Sequence, residues 1–197
     1  MKKLYLLFAI SLFSFNAFAV NIIDAFLSMP DSLLVQLKAE QKAELIDAYL
    51  FDSSIENRYR GETCIDSINT ETNLLQIKTT NISSLQIKLL RKENDTIIGV
   101  ISTICDEFCD SKLQFFSQTW QPLFLQQVKI PSVDNFFYLE KMNDDEKRML
   151  HNSQFLPFYR VDFIENGIEI NFSGFDSFDF YDKEKLKDFL HPIIINM

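Results

Sequence analysis

Apolar residues recur at helical spacing after residue 29, in two groups separated by the polar stretch 38–44. The first group follows the Met29-Pro30-Asp31-Ser32 segment, which is typical of a helix start. The groups are Leu33, Leu34 and Leu37, and then Leu45, Ile46, Tyr49 and Leu50. This pattern predicts either one long helix or two shorter ones.

Farther along the chain the spacing of apolar residues becomes alternate, which is typical of β-strands. Alternation covers 75–80 and 85–90, and plausible turns lie at 81–84 and 93–95. The segment Thr96–Ile104 is almost continuously apolar or β-branched, as a central strand buried on both faces would be. Lys112–Ser117 is the fourth predicted strand, so this part of the chain predicts an antiparallel meander. Residues 52–73 and 105–111 are polar and predicted to be irregular.

The last third of the chain carries sequence patterns typical of a helix start and of a hairpin turn. Asn143 with Glu146 three residues on forms a capping box, which satisfies free N–H groups at a helix start. Alternation over 159–163 and 168–172 flanks Asn166-Gly167, a pair that favours a type I′ hairpin.

A short helix over Asp182–Leu190, capped by Asp182, and a strand over Ile193–Ile195 complete the prediction. The fold class is therefore α+β, an antiparallel β-meander sheet with helices packed on one face. The two halves of the chain faintly repeat a helix-plus-strands scheme. A sheet of this kind often leaves its other face free for a partner.

The first residues predict export. Lys2 and Lys3 precede an apolar run over 4–18, and Ala17-Phe18-Ala19 fits a cleavage site. We therefore predict a signal peptide over 1–19, cleaved after Ala19, and a single α+β globular domain over 20–197. The cleavage point has no cysteine, so a lipid-anchored lipoprotein is not expected. The mature chain is expected to be periplasmic or secreted. No second long apolar run follows, so no stable membrane span is expected after cleavage.

The mature chain is acidic. Removing Lys2 and Lys3 takes away two of the 19 basic residues and none of the 28 acidic ones, so the net charge falls from −9 to −11. A negative surface repels phosphate backbones, and we expect no nucleic-acid partner.

Phenylalanine is unusually abundant, with 20 residues in a chain of 197. After residue 174 the rings alternate with carboxylates, and the single tryptophan precedes a predicted turn. Two interpretations stay open: the rings fill the core, which is favoured, or they form an exposed apolar patch with an acidic rim that binds a partner. The candidate partner-binding aromatics are Trp120, Phe175, Phe178, Phe180 and Tyr181.

The chain has three cysteines, so one thiol remains outside any single bridge. Cys105 and Cys109 are spaced C-x3-C and form the candidate disulfide or thiol pair. Asp106 and Glu107 lie between them, and their negative charge disfavours a reactive thiolate. A structural staple is the favoured interpretation, and Cys64 is the remaining cysteine.

Common catalytic motifs are absent from the sequence. It has no G-x-S-x-G element and only four glycines, none of them arranged as a phosphate loop. His151 and His191 follow predicted helices, where a capping role is favoured. Asp176, Asp179 and Asp182 recur every third residue and lack the spacing of an EF-hand calcium loop. We predict no catalytic residues, no metal site and no cofactor.

Several segments together resemble one protein family. They are Phe26–Leu34, the helix around Ala43–Asp47, Thr103 with Cys105, Cys109 and Asp110-Ser111, then Phe115-Phe116 and Trp120–Leu123. In this combination the chain resembles the DUF3256 family of exported proteins from Bacteroidales. The resemblance implies export and a species range. Because the family has no established activity, it implies no mechanism and no functional residues.

Three functions stay open. The favoured one is a non-enzymatic binding or assembly module of the cell envelope, with an envelope protein or a small apolar ligand as partner. The second is a small-pocket hydrolase or isomerase that uses a buried carboxylate as base beside Tyr59 or Tyr159. The third is a thiol-redox accessory protein that uses Cys105 and Cys109. An enzymatic role is thus open but disfavoured.

Overall fold

The structure is a computed structural model that describes residues 20–92, 95–124, 131–153 and 155–197, with the side chains of Lys92 and Phe180 left out. Over these ranges the chain forms two antiparallel sheets and four α-helices. The predicted signal peptide and its cleavage point after Ala19 lie outside the described residues.

Seven strands follow one another in sequence order across the larger sheet, each antiparallel to its neighbour. They are β1 (Ile55–Glu56), β2 (Glu62–Asn69), β3 (Leu74–Lys78), β4 (Ser83–Lys92), β5 (Asp95–Cys105), β6 (Cys109–Phe116) and β7 (Pro122–Leu123). The predicted meander and the α+β class are confirmed. The meander is longer than predicted at both ends, because β1 and β2 precede the four predicted strands and β7 follows them.

Strand β2 lies within the stretch that was predicted to be irregular. Its inward position at Thr63 is polar, yet the side chain is 1% exposed. The Thr63 hydroxyl donates to the carbonyl of Thr79 at 3.0 Å, which satisfies it inside the sheet. The alternation of β2 was therefore hidden by a polar residue that is buried with a partner.

The first face of the larger sheet is covered by two helices, α1 (Ile22–Leu27) and α2 (Ala39–Leu50). The structure forms α2 where the second apolar group lies. Of the first group only Leu33 lies in a 3₁₀ turn, over Asp31–Leu33, and Leu34 and Leu37 follow it outside any helix. Helix α1 was not predicted. Its start is capped by Asn21, whose Oδ1 accepts from the backbone N–H of Asp24 at 2.9 Å.

The core on this face is largely aliphatic. Its residues come from both helices and from strands β3, β4 and β5, which interleave their inward side chains. The most deeply buried members include Phe26, Leu37, Leu45, Leu75, Ile77, Ile87 and Ile98. Fully burying a residue of this size contributes about 1.5–3 kcal/mol, so this core is the main support of the larger sheet.

The other face of the larger sheet is covered by a second sheet of three strands, in the order β10-β9-β8. They are β8 (Tyr159–Ile164), β9 (Gly167–Phe172) and β10 (Ile193–Asn196). Helices α3 (Asp144–Asn152) and α4 (Phe180–Leu186) belong to the same half of the chain. The expectation of a free sheet face is therefore wrong, because the second half of the chain occupies it.

Local signals in this half were partly correct. The predicted capping box is present: Asn143 Oδ1 accepts from the Glu146 N–H at 2.9 Å. Helix α4 begins earlier than predicted, and its cap is Asp179, whose Oδ1 accepts from the Asp182 N–H at 2.9 Å. Asp182 itself lies in the first turn of α4.

The β8–β9 hairpin has a different turn from the predicted one. Ile164 pairs with Gly167, so the central turn residues are Glu165 and Asn166 and not the predicted Asn166 and Gly167. None of these three residues has a positive φ. A type I′ turn needs positive φ at both central residues, so that assignment is wrong. Gly167 is required instead for close approach, because a Cβ there would lie 2.1 Å from the carbonyl oxygen of Ile195 on β10.

Candidate functional site

Strand β8 is an edge of the second sheet, and two of its backbone N–H groups bond side chains of the larger sheet. The N–H of Phe163 donates to Gln86 Oε1 at 2.9 Å, and that of Val161 donates to Ser111 Oγ at 3.0 Å. Gln86 is only 5% exposed, although the alternation of apolar and polar residues along β4 places it among the polar positions. An unpaired strand edge is normally a liability, and here side chains satisfy it.

A glycine on β5 allows the two sheets to approach closely. A Cβ at Gly99 would lie 2.6 Å from Cζ of Phe163, so a larger residue would force β8 away. Phe163 is itself 5% exposed. The close approach at β5 and the hydrogen bonds from β4 and β6 together fix the second sheet on the larger one.

A groove of about 910 Å³ opens between strands β6–β7 and this second sheet. Most of its surface is apolar. Its apolar lining comes from Leu113, Phe115, Phe116, Pro122, Leu123 and Phe124 on one side and from Val161, Ile168 and Ile170 on the other. Phe124 is 95% exposed, although folding normally buries a ring of this size. We define these residues as the intersheet groove.

The polar groups of the intersheet groove are few and mostly committed. The Ser111 hydroxyl accepts from the Val161 N–H and bonds Thr103 Oγ1 at 2.8 Å, so it has no adjacent base. Asp110, Lys112 and Gln114 complete the lining, and no histidine or cysteine occurs among the described lining residues. The arrangement suits binding of an apolar group better than nucleophilic chemistry.

Three of the five candidate partner-binding aromatics are buried. Phe175 and Phe178 are 9% and 6% exposed and lie 5.1 Å apart, within a cluster that includes Phe172 and Phe155. The rings fill the core of the second half because its helices are short and contribute few aliphatic residues. Tyr181 is 63% exposed. The side chain of Phe180 lies outside the described residues, and among the described rings of the predicted patch Tyr181 is the exposed one.

Trp120 is also a core residue. It is 8% exposed, lies 5.4 Å from the ring of Phe116, and its Nε1 donates to Ser28 Oγ at 3.3 Å. Its φ of 60° is unusual for a large residue and turns the indole under the β6–β7 connection. Trp120 thus fastens the end of the sheet to the residue that follows α1, and it is not available to a partner.

The Cys105 and Cys109 sulfurs lie 2.04 Å apart in a disulfide. The two residues face each other across the β5–β6 hairpin, and the Cys109 N–H donates to Ser173 Oγ at 2.6 Å. The bridge therefore closes the hairpin at the point where it contacts the second half of the chain. Cys64 is a free thiol on β2, and burial, with the charge of Asp66, raises its pKa.

The carboxylates that suggested calcium each have another partner. Asp176 pairs with Lys183 at 3.2 Å, Asp179 caps α4, and Asp182 accepts from Ser153 Oγ at 3.1 Å. Within the described ranges, no three His, Cys, Asp or Glu side chains are grouped so that they could hold a metal ion.

The histidines and the candidate catalytic tyrosines lie in ordinary surroundings. His151 is in the last turn of α3, 4.0 Å from Asp134, and His191 stacks on Tyr138 with ring centres 4.1 Å apart. Tyr59 is 69% exposed. Tyr159 stacks on Phe136 at 5.6 Å, and burial raises its pKa. Neither tyrosine lines the intersheet groove.

None of the described helices is long and apolar enough to cross a membrane.

Comparisons with known proteins give a family and a fold. A family model described as "Protein of unknown function (DUF3256)" matches residues 14–196. A solved structure, a domain of an uncharacterized protein from Porphyromonas gingivalis W83, has a TM-score of 0.69 at 18% identity. The match covers 90% of this chain and 94% of that one, so the two share the fold. No curated protein matches the chain.

Proposed function

The chain belongs to the DUF3256 family of proteins of unknown function, and from this premise we propose that it is an exported, non-enzymatic binding module of the cell envelope. Its ligand is a small apolar molecule held in the intersheet groove. The observation that carries the proposal is the groove itself, which is concave, mostly apolar and bordered by the almost fully exposed ring of Phe124.

The size and lining of the groove support a small-molecule ligand. Sites for such ligands have volumes of about 300–1,000 Å³ and combine apolar walls with a few polar groups, and the groove has this character. Asp110 and Lys112 would orient a polar end at the solvent side. Export is supported by the apolar segment over 4–18 and by the Cys105–Cys109 disulfide, which persists in oxidising compartments.

The proposal is tested with N-phenyl-1-naphthylamine, a neutral apolar dye that fluoresces when it leaves water. We expect saturable binding to residues 20–197, and we expect Phe124→Asp to weaken it at least about fivefold, because a charge at the mouth opposes entry of an apolar ring. Phe124 is so exposed that this change should leave the fold intact.

Phe51→Asp is the matched control. Phe51 is 81% exposed at the end of α2 and does not line the groove, so the same substitution there should leave dye binding unchanged. Leu113→Lys provides a second groove variant, on β6 of the same wall. Equal binding by wild type, Phe124→Asp and Leu113→Lys would refute the groove as the ligand site.

A further inference from the structure

Lys88 is a buried cation on β4. Its side chain is 4% exposed and faces the β8–β9 turn, where Nζ donates to the carbonyl oxygens of Ile164 and of Glu165, the latter at 2.8 Å. Both partners are neutral. No carboxylate oxygen of the described residues lies within 4.0 Å of Nζ, so these contacts do not neutralise the buried charge.

The attachment of β8 does not require a charge at this position. Two residues earlier on the same strand, Gln86 makes the corresponding link with a neutral amide, to Asp162 and to the N–H of Phe163. A lysine ammonium has three donors, and the two carbonyls use two of them. The third donor and the uncompensated charge remain for a further partner.

A cavity of about 480 Å³ adjoins Lys88. Polar groups of Asn73, Arg91 and Asn166 share its wall with the apolar side chains of Leu90, Ile97 and Ile195. Glu71 and Glu165 also border the cavity, but both are exposed, so water screens their charges. Burial lowers the pKa of Lys88, whereas the carboxylate of Glu165 acts in the opposite direction.

We propose that this cavity binds a small organic carboxylate, whose oxygens accept a hydrogen bond from Lys88 Nζ. The anion supplies a counter-charge in direct contact with Nζ, which the exposed Glu165 does not, and charge-assisted hydrogen bonds are stronger than neutral ones. Leu90, Ile97 and Ile195 would contact the carbon skeleton of the ligand, which favours an organic anion over inorganic phosphate. The site is separate from the intersheet groove.

The test is an NMR titration of ¹⁵N-labelled residues 20–197 with sodium butyrate and with sodium succinate, at constant ionic strength maintained with sodium chloride. We expect saturable shifts at the amides of Lys88, Asn73 and 165–167 with at least one of the two acids. Lys88→Gln should weaken binding at least about tenfold, since it removes the charge but keeps a donor. Lys78→Gln, on the exposed side of β3, should bind like wild type.

Arg91→Glu keeps the proposal testable if Lys88→Gln fails to fold. Arg91 is exposed, so its reversal should preserve the fold and weaken binding about threefold or more. The proposal is overturned if neither acid gives saturable shifts, or if inorganic phosphate alone does. It is also overturned if the shifts survive unchanged in every folded variant at Lys88 and Arg91. Dye binding in the intersheet groove is measured separately and can fail independently.

Discussion

The two faces of the larger sheet are closed in different ways. On the first face, helices α1 and α2 press aliphatic side chains against β3, β4 and β5, and polar side chains such as Thr63 are buried there with hydrogen-bond partners. On the second face, polar side chains of the larger sheet bond the backbone of β8, and an aromatic cluster lies at the end of the second sheet. Both the intersheet groove and the Lys88 cavity border this second sheet.

This difference between the two faces indicates where a partner could bind. An apolar interface is most stable when its side chains pack without voids. Hydrogen bonds instead fix the position of two layers and can hold them together without filling the volume beside them. Gln86, Ser111 and Lys88 bond β8 and its turn. Apolar packing around Ile101 and Leu113 adds to the attachment, and an opening remains on either side of these contacts. We infer that the first face supports the fold and the second face serves binding.

The largest effects should come from emptying each core in turn. Phe26 and Phe136 are both fully buried, the first under the larger sheet and the second in the aromatic cluster. We expect Phe26→Ala and Phe136→Ala each to lower the free energy of unfolding by about 3–5 kcal/mol. Hydrogen exchange should separate them: Phe26→Ala loosens both sheets, whereas Phe136→Ala loosens the second sheet and spares β3–β5. Equal loss of protection everywhere would contradict the comparison.

A smaller effect should follow from breaking the polar contact between the layers. Gln86→Ala leaves the Phe163 N–H without its acceptor in a buried place, which costs about 1–3 kcal/mol in chemical denaturation. Gln76→Ala on β3 is the control, because Gln76 is half-buried and accepts only from the hydroxyl of Ser67. If the two variants lose the same stability, the link from Gln86 to β8 has no special role.

The disulfide should contribute a comparable or smaller amount. Replacing Cys105 and Cys109 with serine opens a short loop, for which the loop-entropy relation gives about 2 kcal/mol. Loss of stability with a cooperative transition would support a structural staple. A double variant that is as stable as the wild type but no longer supports the protein's cellular function would instead favour the thiol-redox alternative.

The smallest effect is a pH dependence. Because burial lowers the pKa of Lys88, the unfolded chain binds the proton more tightly, and wild-type stability should rise as pH approaches the ordinary lysine value. Lys88→Gln lacks this gain. The unfolding free energy of wild type minus that of Lys88→Gln should therefore increase with pH in the alkaline range. The raised pKa of Tyr159 affects both proteins equally, so its contribution cancels in this difference. A difference in unfolding free energy that stays constant or falls with pH would contradict the desolvation of Lys88.

Much of the fold was readable from the sequence because hydrophobic alternation sets the strands directly. Two of the failures, the missed β2 and the covered second face, share one cause, which is a polar residue with a buried partner. Thr63 concealed β2, and Gln86 and Lys88 gave no sign that β4 is covered on both faces. Their partners lie at least 16 positions away in the chain, so local spacing cannot indicate them.

The candidate site was less predictable than the fold. The excess of phenylalanine drew attention to aromatic residues, but the ring exposed at the groove is Phe124, and the predicted partner-binding ring Trp120 is buried. Burial of a ring depends on where two sheets meet, which the sequence does not state. Phe124 carries a weak signal, because it follows Pro122-Leu123 at the end of the meander and no helix pattern covers it.

Native mass spectrometry of the protein isolated from its own cells would show whether it is exported and whether it carries an apolar ligand. We expect the mass of residues 20–197 with one disulfide and one free thiol, together with a small apolar molecule that dissociates on activation. Phe124→Asp expressed in the same cells should lose that molecule, while Phe51→Asp keeps it. A chain that retains residues 1–19, or that carries no apolar molecule in wild type and both variants alike, would contradict an exported binding module.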